Sequence, residues 1–132
     1  MNNFNKKIFF TASILATVTI AIGAFGAHGL KKLVEAQAIE TFETGVRYQM
    51  YHVFGLFFLG MISGISKNTQ IWVFRFFLFG ILFFSGSIYL LALASKLPFS
   101  VNFLGPITPL GGLMFMMGWL RLGYGIFKIK EI

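Results

Sequence analysis

Cysteine and aspartate are absent from this sequence, and only four glutamates occur in its 132 residues. Without cysteine, the chain has no disulfides, thiolate metal sites, thiol nucleophiles or cysteine-linked haem. Three glutamates lie within residues 35–43 and the fourth is Glu131, so a catalytic carboxylate pair inside an apolar segment is not expected. No serine-hydrolase elbow, phosphate-binding glycine loop or H-E-x-x-H motif occurs. We therefore expect a protein that is not an enzyme and has no cofactor.

Charge is also scarce. Charged residues make up 11% of the chain, hydrophobic residues 57%, and 18 residues are phenylalanine. Soluble domains contain about 25% charged residues, so this chain has too few polar groups to cover a water-facing surface. The net charge of +7 does not indicate nucleic-acid binding, because the basic residues form no cluster or run. The composition predicts that lipid is the main partner of the surface.

Four apolar segments are long enough to cross a bilayer, which takes about 20 residues. They cover residues 8–27, 46–65, 71–94 and 107–127. The runs are continuous rather than alternating, so they predict helices, whose backbone groups are satisfied internally in lipid. The first run is longer than the roughly 7–15-residue core of a signal peptide, which favours an uncleaved helix. The sequence predicts one all-α transmembrane domain over residues 1–132, an integral membrane four-helix bundle.

The connection between the first two segments has a helical pattern of its own. Its apolar-side residues recur at helical spacing: Leu30, Leu33, Val34, Gln37, Ala38 and Phe42. We interpret the pattern as a short amphipathic helix at the membrane surface. A plain polar loop is the alternative, because short periodic patterns are ambiguous.

Basic residues near the ends of the segments predict orientation, because cytoplasmic loops carry more lysine and arginine. With four spans, seven basic residues fall on the side of the two termini: Lys6, Lys7, Lys67, Arg75, Arg121, Lys128 and Lys130. Four fall on the other side: Lys31, Lys32, Arg47 and Lys96. The excess predicts that both termini are cytoplasmic.

Small residues recur along the predicted helices, and such residues let helices approach closely in lipid. The first helix carries a continuous small face, formed by Ala12, Ala16, Thr19, Gly23 and Ala27. The second contains a G-x-x-x-G at Gly60 and Gly64, and the last has Gly111, Gly118 and Gly125 seven residues apart. We interpret these faces as packing within one chain, with a face for another subunit as the alternative.

Polar side chains also occur within or beside the apolar segments, where they are costly and often functional. Antiparallel helices would bring many of them to the non-cytoplasmic side in one candidate cluster: His28, Tyr48, Gln49, His52, Ser85, Ser87, Tyr89 and Thr108. Glu43 and Arg47, four residues apart, suit a helical ion pair. One reading is a ligand site, in which His28 and His52 bind a haem or metal, or the cluster binds a quinone or lipid head group. The other is hydrogen bonding between helices. Two histidines are too few for a closed zinc site, and no metal site is predicted.

Four motifs resemble those of one known family. They are GAFGAHGL at 23–30, FETGVRYQMYH at 42–52, FSGSIYLLAL at 84–93 and LGPITPLGGLMFMMGWL at 104–120. Together they are similar to the YgdD/YwdK-like family of small four-helix membrane proteins of unknown function, which has small transmembrane relatives in animals. The resemblance implies four membrane helices in a bacterial inner membrane, and it implies no reaction.

The most direct functional expectation is a structural, accessory or lipid-interacting component of the membrane. Two alternatives stay open from the sequence: a small oligomeric transporter or channel, and a ligand-, haem- or metal-binding protein that uses His28 and His52. The absence of an inverted repeat weighs against a transporter. Besides the lipid bilayer, a homo-oligomer or a membrane-complex partner is compatible with the small-residue faces.

Overall fold

A computed structural model describes residues 1–130 as an all-helical protein. Helix makes up 82% of the structure, and the described part of the chain contains no strand. The long elements are α1 (Asn3–Ala27), α2 (Ala36–Met61), α3 (Lys67–Gly80), a π-helical segment (Ile81–Ser85), α4 (Gly86–Ala92) and α5 (Ile107–Phe127). Because α3, the π-helical segment and α4 follow without a break, residues 3–127 form four helical rods.

Polar caps begin two of these rods. The Asn2 side chain accepts a hydrogen bond from the Asn5 N–H, and Ser66 accepts one from the Thr69 N–H. Such caps satisfy N–H groups that have no partner within the helix. These caps start α1 and α3 at polar residues, so both rods begin several residues before the apolar runs of the sequence.

The predicted amphipathic helix is not a separate element. Residues Leu30–Lys32 form one 3₁₀ turn, and Ala36–Met61 is a single uninterrupted helix. Phe42 is 2% exposed and packs with Leu30 and Ala92. Leu30 and Phe42 therefore face the bundle, whereas Leu33 and Gln37 are exposed, and the stripe is divided between the 3₁₀ turn, the residues after it and the start of α2.

Three helical stretches are long and apolar enough to cross a membrane: Asn3–Lys32, Lys67–Ala92 and Asn102–Phe127. The second rod, α2, has 26 residues, but Arg47, Gln49 and His52 lower its mean hydropathy. Length and composition alone therefore support three spans, and the fourth depends on how α2 packs.

The rods pack in two pairs that share one core. The rod α1 lies along α2, α3 lies along α5, and α4 with the π-helical segment contacts α2 and α5. The main core joins all four rods through buried residues such as Ile8, Leu56, Phe77, Phe115 and Leu122. A smaller cluster around Leu30, Phe42 and Ala92 closes the end of the bundle where α1 meets α2.

Three of the five glycines in α5 lie against the α3 rod, the continuous helix formed by α3, the π-helical segment and α4. A Cβ on Gly111 would lie 2.2 Å from the Phe84 backbone nitrogen. A Cβ on Gly118 would lie 2.6 Å from the Phe77 ring, and one on Gly125 would lie 2.6 Å from Thr69 Cγ2. This glycine face is used for contact between α5 and the α3 rod.

Small residues of α1 and α2 meet in a similar way. A Cβ on Gly23 would lie 3.3 Å from Val46, and one on Gly60 would lie 2.8 Å from the Phe9 ring. Ala12 is fully buried. Thr19 is also buried, at 1% exposure, whereas Ala16 is half-buried and Ala27 is exposed.

The G-x-x-x-G of the second segment is not a helix-packing motif. The rod α2 ends at Met61, and Gly64 lies in the following turn with φ +85°. That left-handed conformation favours glycine because other residues meet a steric penalty there. Gly64 therefore serves the turn into α3, whereas Gly60 packs on α1.

Candidate polar site in the helical bundle

His52 is held by hydrogen bonds at both nitrogens of its ring. Its Nδ1 lies 2.7 Å from the Tyr48 carbonyl oxygen, one turn earlier in α2. The Trp119 indole Nε1–H of α5 donates to His52 Nε2 at 3.0 Å. The imidazole also stacks on Phe115, with ring centroids 3.5 Å apart and planes 9° apart.

These two hydrogen bonds define the tautomer of His52. An indole N–H can only donate, so Nε2 must be the acceptor and carry no proton. Nδ1 then carries the proton and donates it to the Tyr48 carbonyl. His52 is therefore a neutral imidazole with no free lone pair for a metal or haem iron.

A second polar group joins α2 to the π-helical segment and α4. The Tyr89 hydroxyl donates to Gln49 Oε1 at 2.6 Å. Ser85 Oγ donates to the Gly45 carbonyl oxygen at 2.7 Å. Ser85 is fully buried and Gln49 is 3% exposed, so both bonds lie in the apolar interior and replace contacts with water.

A third polar group joins α4 to α5 beside the π-helical segment. Ser87 Oγ and Thr108 Oγ1 share a hydrogen bond, and Ser87 also bonds to the carbonyl oxygens of Phe83 and Phe84. A π-helical turn shifts the backbone hydrogen-bond register by one residue. The single Ser87 hydroxyl proton is shared between these two carbonyl oxygens of the turn.

Two members of the predicted cluster lie elsewhere. His28 is the exposed C-cap residue of α1, where its backbone N–H donates to Ala24 and Phe25. Gly26 lies against Phe42, and ten residues of α2 separate Phe42 from His52, so the two histidines are roughly 15 Å apart along the bundle at 1.5 Å per residue. Tyr48 is 40% exposed; it meets His52 through its backbone carbonyl, and its ring centroid lies 4.8 Å from that of Phe84.

The predicted ion pair between Glu43 and Arg47 is replaced by another contact. The Arg47 guanidinium donates to Thr44 Oγ1 at 3.1 Å, three residues earlier in α2. Glu43 and Arg47 are both exposed. Water and head groups can solvate both charges at an exposed helix end, so little is gained by pairing them.

Sequence reasoning missed three polar residues that the structure uses. The position of Trp119 in the middle of the last apolar segment is a signal for an interior partner. The other two missed residues are Asn5 and Gln70, at the end of the bundle where α1 begins. Gln70 Nε2 donates to Asn5 Oδ1 at 2.8 Å, and Asn5 Nδ2 donates to the Gly60 carbonyl at 3.1 Å. This terminal polar tie joins α1, α2 and α3.

The buried polar side chains of the described residues find their hydrogen-bond partners within the protein. Within residues 1–130, every buried side-chain nitrogen and oxygen has a hydrogen-bond partner. The same part of the chain contains no group of three or more metal-ligating His, Cys, Asp or Glu side chains. The hydrogen bonds described above join the helices through neutral side chains.

Removing the Tyr89 hydroxyl is expected to weaken this cross-link. Tyr89→Phe leaves Gln49 Oε1 without its donor, and such bonds between membrane helices contribute about 0.6–2 kcal/mol. Tyr51→Phe is the matched control, because Tyr51 is 53% exposed. Thermal unfolding in detergent should show a lower midpoint for Tyr89→Phe alone; an equal change in both variants would contradict the assignment.

Comparisons with known proteins identify the family of this chain. A family model described as protein of unknown function (DUF423) matches residues 22–112. A UPF0382 membrane protein of Staphylococcus saprophyticus is 44% identical over 124 residues, which cover 93% of this chain and 99% of the relative.

Other bacteria have similar proteins. The UPF0382 membrane protein YwdK of Bacillus subtilis is 37% identical over 122 residues, covering 89% of this chain and 93% of the relative. A Haemophilus influenzae UPF0382 membrane protein is 38% identical over 113 residues, covering 86% and 87%. No solved structure gives a significant match. These matches confirm the resemblance to YwdK-like proteins, and the chain belongs to the DUF423 family of proteins of unknown function.

Proposed function

We propose that this protein is a non-enzymatic, multi-pass component of a bacterial inner membrane, with a structural, accessory or lipid-interacting role. The observation that carries the proposal is that each ring nitrogen of His52 has a hydrogen-bond partner within the protein. Both ring nitrogens are used by the protein itself, so the most reactive side chain of the interior serves packing. The UPF0382 relatives are named membrane proteins, without an activity.

A fourth span formed by α2 fits its packing. The helix has 26 residues, or about 39 Å at 1.5 Å per residue. Its polar residues Gln49 and His52 are buried against α4 and α5, so they would not meet lipid. Phe42 is level with Gly26 near the end of α1, which leaves Glu43 and Arg47 near the interface, where long charged side chains extend to water.

A labelling experiment tests the four spans and the cytoplasmic termini. The chain has no cysteine, so single cysteines can be placed without removing any: Asn3→Cys, Lys32→Cys, Asn68→Cys and Ser100→Cys. A membrane-impermeant maleimide added to intact cells should label positions 32 and 100, and should label positions 3 and 68 only after permeabilisation. If positions 32 and 68 were labelled from the same side, α2 would not span.

Native mass spectrometry tests the absence of a resident cofactor and identifies partners. We expect the mass of one chain or of a homo-oligomer, with lipid as the bound small molecule. A haem or metal adduct that His52→Ala removes, while the fold survives, would instead support the ligand-binding alternative. A second polypeptide in the assembly would identify a membrane-complex partner.

A further inference from the structure

A groove with two cations at one end runs along the surface between α1 and the α3 rod. It has a volume of about 470 Å³. Lys7 and Arg75 line the part nearer the chain terminus, and the groove continues along Leu78, Phe79 and Leu82. Phe79 is 49% and Leu82 is 60% exposed, so this continuation is an open apolar track.

The terminal polar tie fixes the two walls of the groove. Asn5 and Gln70 are hydrogen-bonded at 2.8 Å, and the rings of Phe4 and Phe74 meet edge to face at 5.6 Å. Lys7 lies one turn from Phe4, and Arg75 directly follows Phe74. The two cations are therefore held beside one groove by contacts between rigid helices.

Both cations lie over aromatic rings and far from most of the carboxylates. Lys7 Nζ is 6.0 Å from the Phe74 ring centroid, and the Arg75 guanidinium is 5.2 Å from that of Trp72. Gly60 of α2 meets Phe9 of α1, so the glutamates at 35–43 lie roughly 25 Å or more away at 1.5 Å per residue. Glu131 lies outside the described residues. Within residues 1–130, the groove presents uncompensated positive charge.

The position of Arg75 within a candidate membrane span also favours binding of an anion. Arg75 is eight residues into the Lys67–Ala92 stretch, about 12 Å along the helix. Its guanidinium lies over Trp72, one turn back towards the helix start. A charge within a span is costly unless it reaches the interface and finds a partner. An anion at the head-group level would be that partner for the Arg75 guanidinium.

We propose that this groove binds one anionic phospholipid from the leaflet on the side of the chain termini. The phosphate lies between Lys7 and Arg75, and an acyl chain follows Leu78, Phe79 and Leu82. The inference rests on the proposed function, because α1 and α3 must span for a lipid to reach the groove. Two cations on top of an apolar track match the charge and shape of a phospholipid, whereas a free phosphate would leave the track empty.

Another cavity, at the opposite end of the bundle, is less suited to this ligand. It measures about 640 Å³ and is lined by Lys32 and Lys96. Glu35 lines the same cavity, so a carboxylate offsets part of the positive charge. The groove at Lys7 and Arg75 has no such residue among those that line it.

The test is a lipid titration followed by native mass spectrometry of the full-length protein in detergent. Phosphatidylglycerol is the anionic probe and phosphatidylcholine the zwitterionic one. The test variant is Lys7→Gln with Arg75→Gln, and the control is Lys6→Gln with Lys67→Gln, which removes the same charge at the same end. We expect the affinity for phosphatidylglycerol to fall about tenfold in the test variant, because Lys7 and Arg75 contribute about equally to that affinity. In the control the affinity should fall less than twofold.

A second pair of measurements examines the acyl track and the anion. Leu82→Gln should weaken phosphatidylglycerol binding while leaving both cations in place, and millimolar inorganic phosphate should not displace the lipid. Equal loss of affinity in the two charge variants, or equal binding of the two lipids, would overturn the inference. Displacement by phosphate would show a free-anion site instead.

The outcome separates the two proposals. If cysteine labelling shows that α3 or α2 does not span, the proposed function fails. If labelling shows four spans but phosphatidylglycerol has no preference for the wild-type groove, only the lipid inference fails. Helical circular dichroism of the variants checks that each one is folded, as expected for substitutions of exposed Lys7 and Arg75.

Discussion

Replacing Gly111 with alanine is expected to destabilise the bundle by about 3 kcal/mol, the upper part of the range for overpacked interiors. The new Cβ would lie 2.2 Å from the Phe84 nitrogen, 2.7 Å from the Phe83 carbonyl carbon and 2.8 Å from Phe84 Cα. All three atoms belong to the backbone of the neighbouring rod and cannot rotate away. Helix α5 and the π-helical segment would have to separate, which would also strain the bond between Ser87 and Thr108.

Gly112→Ala is the matched control for this substitution. Its Cβ would meet the Phe84 ring at 3.6 Å, an ordinary van der Waals distance. Both variants make the same chemical change in adjacent residues of one helix, so helix propensity contributes equally. Unfolding in increasing sodium dodecyl sulfate, followed by circular dichroism, gives the difference; equal midpoints for the two variants would show that α5 does not approach the α3 rod at Gly111.

Loss of the bond between Trp119 and His52 is expected to have the second largest effect. Trp119→Phe leaves His52 Nε2 buried without a donor, at a cost of about 1–3 kcal/mol. His52→Ala removes the same bond and also the stacking on Phe115. The double variant should therefore be less destabilised than the sum of the two, with a coupling of about 1 kcal/mol.

Trp72→Phe provides the control for the loss of an indole. Trp72 and Trp119 are both 43% exposed, but Trp72 lies against Arg75 at the surface. It should change the midpoint of unfolding by much less than Trp119→Phe. Additivity of His52→Ala and Trp119→Phe in the same detergent series would contradict the hydrogen bond.

Much of the architecture follows from the sequence because lipid-facing helices need long apolar runs. The last helix has the predicted bounds, 107–127. The first three rods begin before the predicted runs, α1 and α3 because Asn2 and Ser66 cap them in polar sequence. The second rod ends at Met61 and the third at Ala92, before the predicted ends at 65 and 94. The four quoted motifs were also sufficient to identify the family, as the matches with UPF0382 proteins confirm.

The sequence also identified small-residue faces and most of the polar residues, but not their partners. A glycine at 111, 118 or 125 indicates a close approach, yet only the packed rods show that the approach is to Phe84, Phe77 and Thr69. His52 and Trp119 are 67 residues apart. Helical periodicity places a residue on a face of its own helix and says nothing about which rod lies opposite.

Composition and apolar length by themselves determined that this is a helical protein suited to lipid. Tertiary structure alone decided three features: the continuity of Ala36–Met61 as one helix, the π-helical segment beside Gly111, and the separation of His28 from His52. Each depends on contacts between rods that are distant in sequence. The physical reason is that backbone hydrogen bonding in a helix is local, whereas the pairing of buried polar atoms depends on which helices become neighbours.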